Sequence, residues 1–215
     1  MANNFKKLLS LAVALVMIIG LIPGNALSVF ATEDTIDSAQ ELIDAVANGG
    51  EVVLAADLAD VDLTITKDTV LDLGGNTLTD AYIQIAANVT VKNGSIKNTN
   101  EPYPLVVNAG TLTVETLTIE ASKSDRTIWL RNSGTTLNFN SGSLKATKGD
   151  NNTNSKIYGV WVSGGATANI NGGTIEVDAG ADAAAVAIFG NYVNTVNVTG
   201  GKISTSGKTY SYGKC

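Results

Sequence analysis

The chain has 215 residues, of which 44% are hydrophobic, 16% charged and 6% aromatic, and its formal net charge is −6. That length holds one domain or at most two small ones, and the composition excludes a disordered tail and a highly charged long helix. It contains no histidine, which removes His-based general-base catalysis, His-assisted nucleophiles and most zinc or copper sites.

Residues 1–31 read as a secretory signal peptide. Lys6 and Lys7 form a basic start, Leu8 to Ile22 is apolar apart from Ser10 and Gly20, and Pro23 and Gly24 break the run. Small residues offer cleavage after Ala26 or after Ala31. A retained membrane anchor is the alternative, although a run of about 15 apolar residues is short for a span. Cleavage would remove two of the 14 basic residues and none of the 20 acids, taking the net charge from −6 to −8. The expectation is an extracellular protein, secreted or held at the cell surface, with no integral membrane domain after cleavage. So negative a surface argues against nucleic acid or anionic lipid as the main partner. The single cysteine is Cys215, so the exported domain must be stable without an internal disulfide.

Residues 32–50 are expected to form a capping helix. Asp37 or Ser38 starts it, Glu41 is placed to close a capping box with Ser38, and Gly49–Gly50 ends it. Ile36, Ala39, Leu42, Ile43 and Val46 share one face.

From 51 to 204 one pattern recurs: two alternating apolar residues, a turn, then another apolar residue. Its copies are Leu71/Leu73/Asn76/Leu78, Val89/Val91/Gly94/Ile96 and Leu112/Val114/Leu117/Ile119. They continue as Leu137/Phe139/Gly142/Leu144, Ala168/Ile170/Gly173/Ile175 and Val196/Val198/Gly201/Ile203. Successive copies start 18, 23, 25, 31 and 28 residues apart. Ahead of most lies a second alternating pair: Ile83/Ile85, Leu105/Val107, Ile128/Leu130, Val160/Val162 and Val186/Ile188. A repeat of this length, holding roughly three short strands, signals a solenoid of about six coils. No coil can bury its apolar set alone, whereas coils stacked about 4.8 Å apart share one core. The expected fold class is therefore all-β, a right-handed parallel β-helix with an N-terminal amphipathic capping helix. A β-sandwich is the alternative. It would show short strands too, but not one motif six times. Residues 205–215, with Tyr210 and Tyr212, read as a tail or an incomplete last coil.

The stretch AVANGGEVVLAADL followed by LTITKDTVLDLGGNTLT, from Leu42 to Leu78, resembles the opening of right-handed parallel β-helix proteins of the pectate-lyase-like superfamily. That superfamily includes lyases, tailspike-type depolymerases and surface proteins of Gram-positive bacteria. The resemblance spans roughly residues 36–204 and implies the fold, because the shared residues are structural.

Aligned coils sort the outward side chains into columns. Asp72, Thr90, Thr113, Asn138, Asn169 and Asn197 form one, read as a hydrogen-bonding ladder. Lys97, Glu120, Lys145 and Glu176 alternate in sign in another, as register control would require. A third runs Gln84, Val106, Trp129, Trp161, Ala187, with Asn108 and Arg131 two residues further along their strands. It puts both tryptophans side by side. Trp129, Trp161, Arg131 and Asn108 are thus the candidate binding residues, an aromatic surface with flanking donors suited to a polysaccharide, a surface glycan or a host protein. Structural packing, or cover from the loop Ala146–Lys156, is the competing reading.

The superfamily's enzymes imply a catalytic alternative, a polysaccharide lyase or glycoside hydrolase. The Gly-His-Gly and Arg-Ile-Lys segments of the polygalacturonase-like members are missing. Lyase-like members bind calcium through clustered acids and abstract a proton with Arg or Lys. Here Arg131 and Asp125 are the candidates, and calcium is the one cofactor that reading would bring. Glu120 and Glu176, two coils apart, stand roughly at the 6.5–9.5 Å carboxylate spacing of an inverting hydrolase. Each is otherwise explained by its lysine neighbours. The expected function is non-catalytic binding or adhesion through the Trp129/Trp161 face, with a structural stalk as the third option.

Overall fold

The computed structural model describes residues 36–149, 156–179 and 182–206. The expected signal peptide, Cys215, Tyr210, Tyr212 and the middle of the 146–156 loop lie outside them. Among the described residues no helix is long and apolar enough to cross a membrane.

Among the described residues one helix precedes eighteen strands. Helix α1 (Ala39–Asn48) is capped by Ser38, whose side chain accepts from the Glu41 amide at 3.4 Å. The Glu41 carboxylate in turn accepts from the backbone N–H of Asp37 at 3.2 Å, one residue earlier than a capping box on Ser38 requires. That bond, with the Ser38 contact, lowers the Glu41 pKa. Gly49, at φ 76°, ends the helix. Leu42 and Val46 are buried, whereas Ile43 reaches solvent. The helix packs on β1 (Gly50–Val53) and β3 (Asp62–Ile65), closing the N-terminal end of the core.

Every strand pairing among the described residues is parallel. One ladder runs β1, β4 (Thr69–Asp72), β7 (Val89–Asn98), β9 (Thr111–Ala121), β11 (Thr136–Phe139), β14 (Thr167–Ile170), β17 (Thr195–Val198). A second runs β2 (Leu58–Ala59), β5 (Thr77–Thr79), β7, β9, β12 (Gly142–Thr147), β15 (Thr174–Asp178), β18 (Lys202–Ser206). Because β7 and β9 continue through the corner, these two ladders form one 12-stranded sheet. The third ladder is a separate sheet of six: β3, β6 (Tyr82–Ala86), β8 (Leu105–Ala109), β10 (Arg126–Leu130), β13 (Lys156–Ser163), β16 (Asp182–Phe189). Three strands per turn make the chain a parallel β-solenoid, as the repeat requires. A sandwich, built from antiparallel strands, is excluded.

Inward residues stack column by column. Val91, Val114, Phe139 and Ile170 form one such column, and Ile96, Ile119, Leu144 and Ile175 another; all are buried. The first motif copy is out of step. Leu71 pairs with Val91, not with Val89, so Val70 rather than Asp72 stands beside Thr90. The corner Leu73–Asn76 holds two more residues than its successor, and alignment on the turn slides the strand by two. Buried Thr69 fills the place opposite Val89, its hydroxyl satisfied by the Lys67 carbonyl at 2.8 Å. Asp72 instead faces Lys92, which bridges it at 3.4 Å and Glu51 at 3.6 Å.

The amide ladder forms in the later coils. Asn169 donates to Asn138 at 2.8 Å and Asn197 to Asn169 at 2.8 Å. One column over, Asn171 donates to Asn140 at 2.9 Å and Thr199 to Asn171 at 3.0 Å. Lys97, Glu120, Lys145 and Glu176 stand in register as expected, but no ion pair within 4.0 Å joins them; the described ion pairs lie elsewhere.

At the β9 corner Thr116 adopts φ 48°, a conformation that a β-branched side chain resists. Its amide is held by Ser141 Oγ at 2.8 Å, which keeps the corner in place. Thr116→Gly removes the Cβ penalty and keeps that amide. It is expected to raise stability by about 1 kcal/mol, read as a higher denaturant midpoint at constant slope.

Candidate functional site

The outer face of the six-stranded sheet carries a belt of aromatic and arginine side chains. Register puts Trp129 of β10 directly beside Trp161 of β13, with Val106 and Ala187 on either side. Both tryptophans leave the core, as strand alternation requires. They differ in exposure. Trp161 is only 7% exposed and Val106 is buried as well, yet neither belongs to the core cluster. They form a second apolar layer on the outside of the coil.

The covering groups are specific. Tyr158 lies 4.4 Å from the Trp161 ring and Phe189 4.8 Å from it. The Arg126 guanidinium sits 4.6 Å from the ring centroids of both Trp129 and Trp161 and 5.2 Å from that of Tyr103. Tyr103 itself is 5.2 Å from Trp129. Arg126 is anchored by Asp125 at 3.1 Å. Its Nε is buried with no hydrogen-bond partner, so the rings supply much of its stabilisation. Burial raises the Asp125 pKa, opposed by the charges of Arg126 and Lys156.

Of the two outward-facing tryptophans named as candidate binding residues, Trp161 is thus the one whose ring is enclosed. Trp129 stays partly exposed, with its indole N–H donated to Ser163 at 3.1 Å; Ser163 donates onward to the Leu130 carbonyl at 2.9 Å. Arg131 is exposed, its guanidinium 4.5 Å from the Trp129 ring centroid. Asn108 is half-buried and donates to Gln84 at 3.5 Å, while Asn132 donates to the Asn108 carbonyl at 2.7 Å. Trp129, Arg131 and Asn108 thus share one edge of the belt. Phe189, 61% exposed, continues it toward the C-terminal coil.

The candidate catalytic groups do not converge. Asp125 pairs with Arg126, at the opposite end of β10 from Arg131. Glu120 and Glu176 belong to β9 and β15 of the other sheet, with Lys145 in register between them. Lys97, Glu120 and Lys145 border a shallow groove of about 240 Å³ with Asn98, Thr99 and Thr147. Among the described residues no three His, Cys, Asp or Glu side chains cluster as a metal site would need.

Tyr103, Tyr158 and Arg126 are the belt members that sequence patterning did not assign. Tyr103 lies outside the strands, between Pro102 and Pro104. Tyr158 is three residues from Trp161, which simple alternation puts on the opposite face. The β13–β16 pairing passes from Tyr158–Ala184 to Val160–Val186, with Gly159 between them. The signal for Arg126 was its parity with Trp129 broken by one residue; its register with Tyr158 appears only in the sheet. No family model matches the chain, and comparisons with curated proteins and with solved structures find no match.

Proposed function

We propose that this solenoid is a secreted or cell-surface module of the pectate-lyase-like β-helix type that binds a glycan without turning it over. The observation carrying this reading is the belt itself. Both tryptophans and both arginines of a chain with 6% aromatic residues gather on one outward sheet face. Its accessible edge combines a partly exposed indole, an exposed guanidinium and an amide, which together offer a sugar an apolar face and directed donors. The dispersed acids give no support to general acid–base chemistry, which requires groups within hydrogen-bond reach of one reacting atom.

Trp129→Ala with Arg131→Ala is the test. Retention on a polysaccharide bound by the wild type is expected to fall at least tenfold, with the far-ultraviolet circular dichroism spectrum unchanged. Retention equal to wild type in the folded double variant would sink the reading.

A further inference from the structure

On the outer side of the 12-stranded sheet, one column changes character along the solenoid. In the later coils it is an amide ladder, Asn138 to Asn169 to Asn197, whose members bond to one another. In the earlier coils the same column reads Glu51, Val70, Thr90, Thr113. There the surface dips into a shallow groove of about 340 Å³ across β1, β4, β7 and β9. That volume lies within the range of small-molecule sites.

The lining suits a ligand rich in hydroxyl groups. Thr90, Thr111 and Thr113 are half-buried in it, and their hydroxyls have no hydrogen-bond partner among the described residues. Asp68 borders the groove with its carboxylate fixed. One oxygen accepts from the Asn88 backbone N–H at 2.9 Å, the other from the Asn88 side-chain amide at 3.3 Å. The Asn88 side-chain oxygen stays free to accept. Val70 adds an apolar patch, and it stands beside Thr90 because the first copy of the repeat is out of step. Groups that both donate and accept, set around an apolar patch, match a pyranose ring with C–H groups on its faces and hydroxyls on its rim.

Charge narrows the ligand further. Glu51 and Asp68 line the groove, and no lysine or arginine does. Lys92, one column over, is engaged by Glu51 at 3.6 Å and Asp72 at 3.4 Å. On a chain of net charge −6 such a groove repels acidic sugars and phosphates.

We propose that this groove is a separate binding site for uncharged sugar residues of a glycan. It does not rest on the aromatic belt, which lies on the six-stranded sheet. The three threonine hydroxyls exchange hydrogen bonds with the sugar, Asp68 accepts from one of its hydroxyls, and Val70 packs on the ring. A groove this shallow holds a short oligosaccharide in about the millimolar range, too weakly to retain the protein on a polysaccharide by itself.

Amide spectra of the isotope-labelled chain, titrated with gluco-, manno- and xylo-oligosaccharides and with oligogalacturonate, test this. Saturable movement of the Thr90, Thr111 and Thr113 amides is expected with at least one neutral series, and none with oligogalacturonate. Thr90→Val with Thr113→Val keeps the branched shape and removes hydroxyls that bond nothing in the protein, so circular dichroism should not change. The pair should weaken binding about tenfold or more, as the loss of two hydrogen bonds requires. The Trp129→Ala, Arg131→Ala variant should titrate like the wild type. No movement at these amides with any neutral series, equal movement with oligogalacturonate, or valine variants that bind like the wild type would each overturn the proposal. Movement confined to β10 and β13 would overturn it too, while supporting the belt.

Discussion

Phe139→Ala is expected to lower the unfolding free energy by about 3–5 kcal/mol, the range for deleting a buried aromatic ring. Phe139 is fully buried and heads the largest side chains of the core. It sits mid-column on β11, between Val114 and Ile170 on neighbouring coils. A side chain at Gly173 would come within 2.8 Å of the ring, so that glycine makes the room the phenyl group fills. Hydrogen-bonded ladders hold the coils at a fixed spacing on both sides. They cannot close over the cavity, which puts the cost toward the upper part of the range. Urea unfolding should show the lowered midpoint, and Phe139→Leu should recover most of it. A loss below about 1 kcal/mol would mean the column is not the close-packed stack described.

Trp161→Ala is expected to cost about 3 kcal/mol, although Trp161 faces outward. Its ring is enclosed by Tyr158, Phe189 and the Arg126 guanidinium, and its removal strips one of three aromatic contacts from a cation whose Nε has no hydrogen bond. Trp161→Phe should restore much of the loss by keeping a ring against Arg126. Thermal unfolding of the two variants measures this. A neutral Trp161→Ala would show that the outer layer contributes nothing to the fold. On the proposed reading Trp161 supports the belt, while Trp129 and Arg131 make the contacts.

The inward columns were readable in the sequence because each depends only on alternation along one strand and repetition between coils. The adjacency of Trp129 and Trp161 followed from the same two rules. They failed where a corner changed length. The extra residues at Leu73–Asn76 moved Asp72 from the Thr90 column to the Lys92 column. They failed again at the outer aromatic belt. Whether an outward ring is open depends on groups brought from outside the strand pattern, here Tyr103 between two prolines and Tyr158 beside Gly159. The charge ladder shows the converse limit. Register was legible from the sequence, but exposed lysines and glutamates on adjacent strands gain so little from pairing that they need not close on one another.

Binding without turnover is tested most directly by one panel of purified polysaccharides, scored in the same samples for retained protein and for new reducing or unsaturated chain ends. Retention on at least one polysaccharide, lost in the Trp129→Ala, Arg131→Ala variant and accompanied by no new ends, is the predicted result. Chain ends appearing at catalytic rates, or a protein retained by none of the panel, would contradict it.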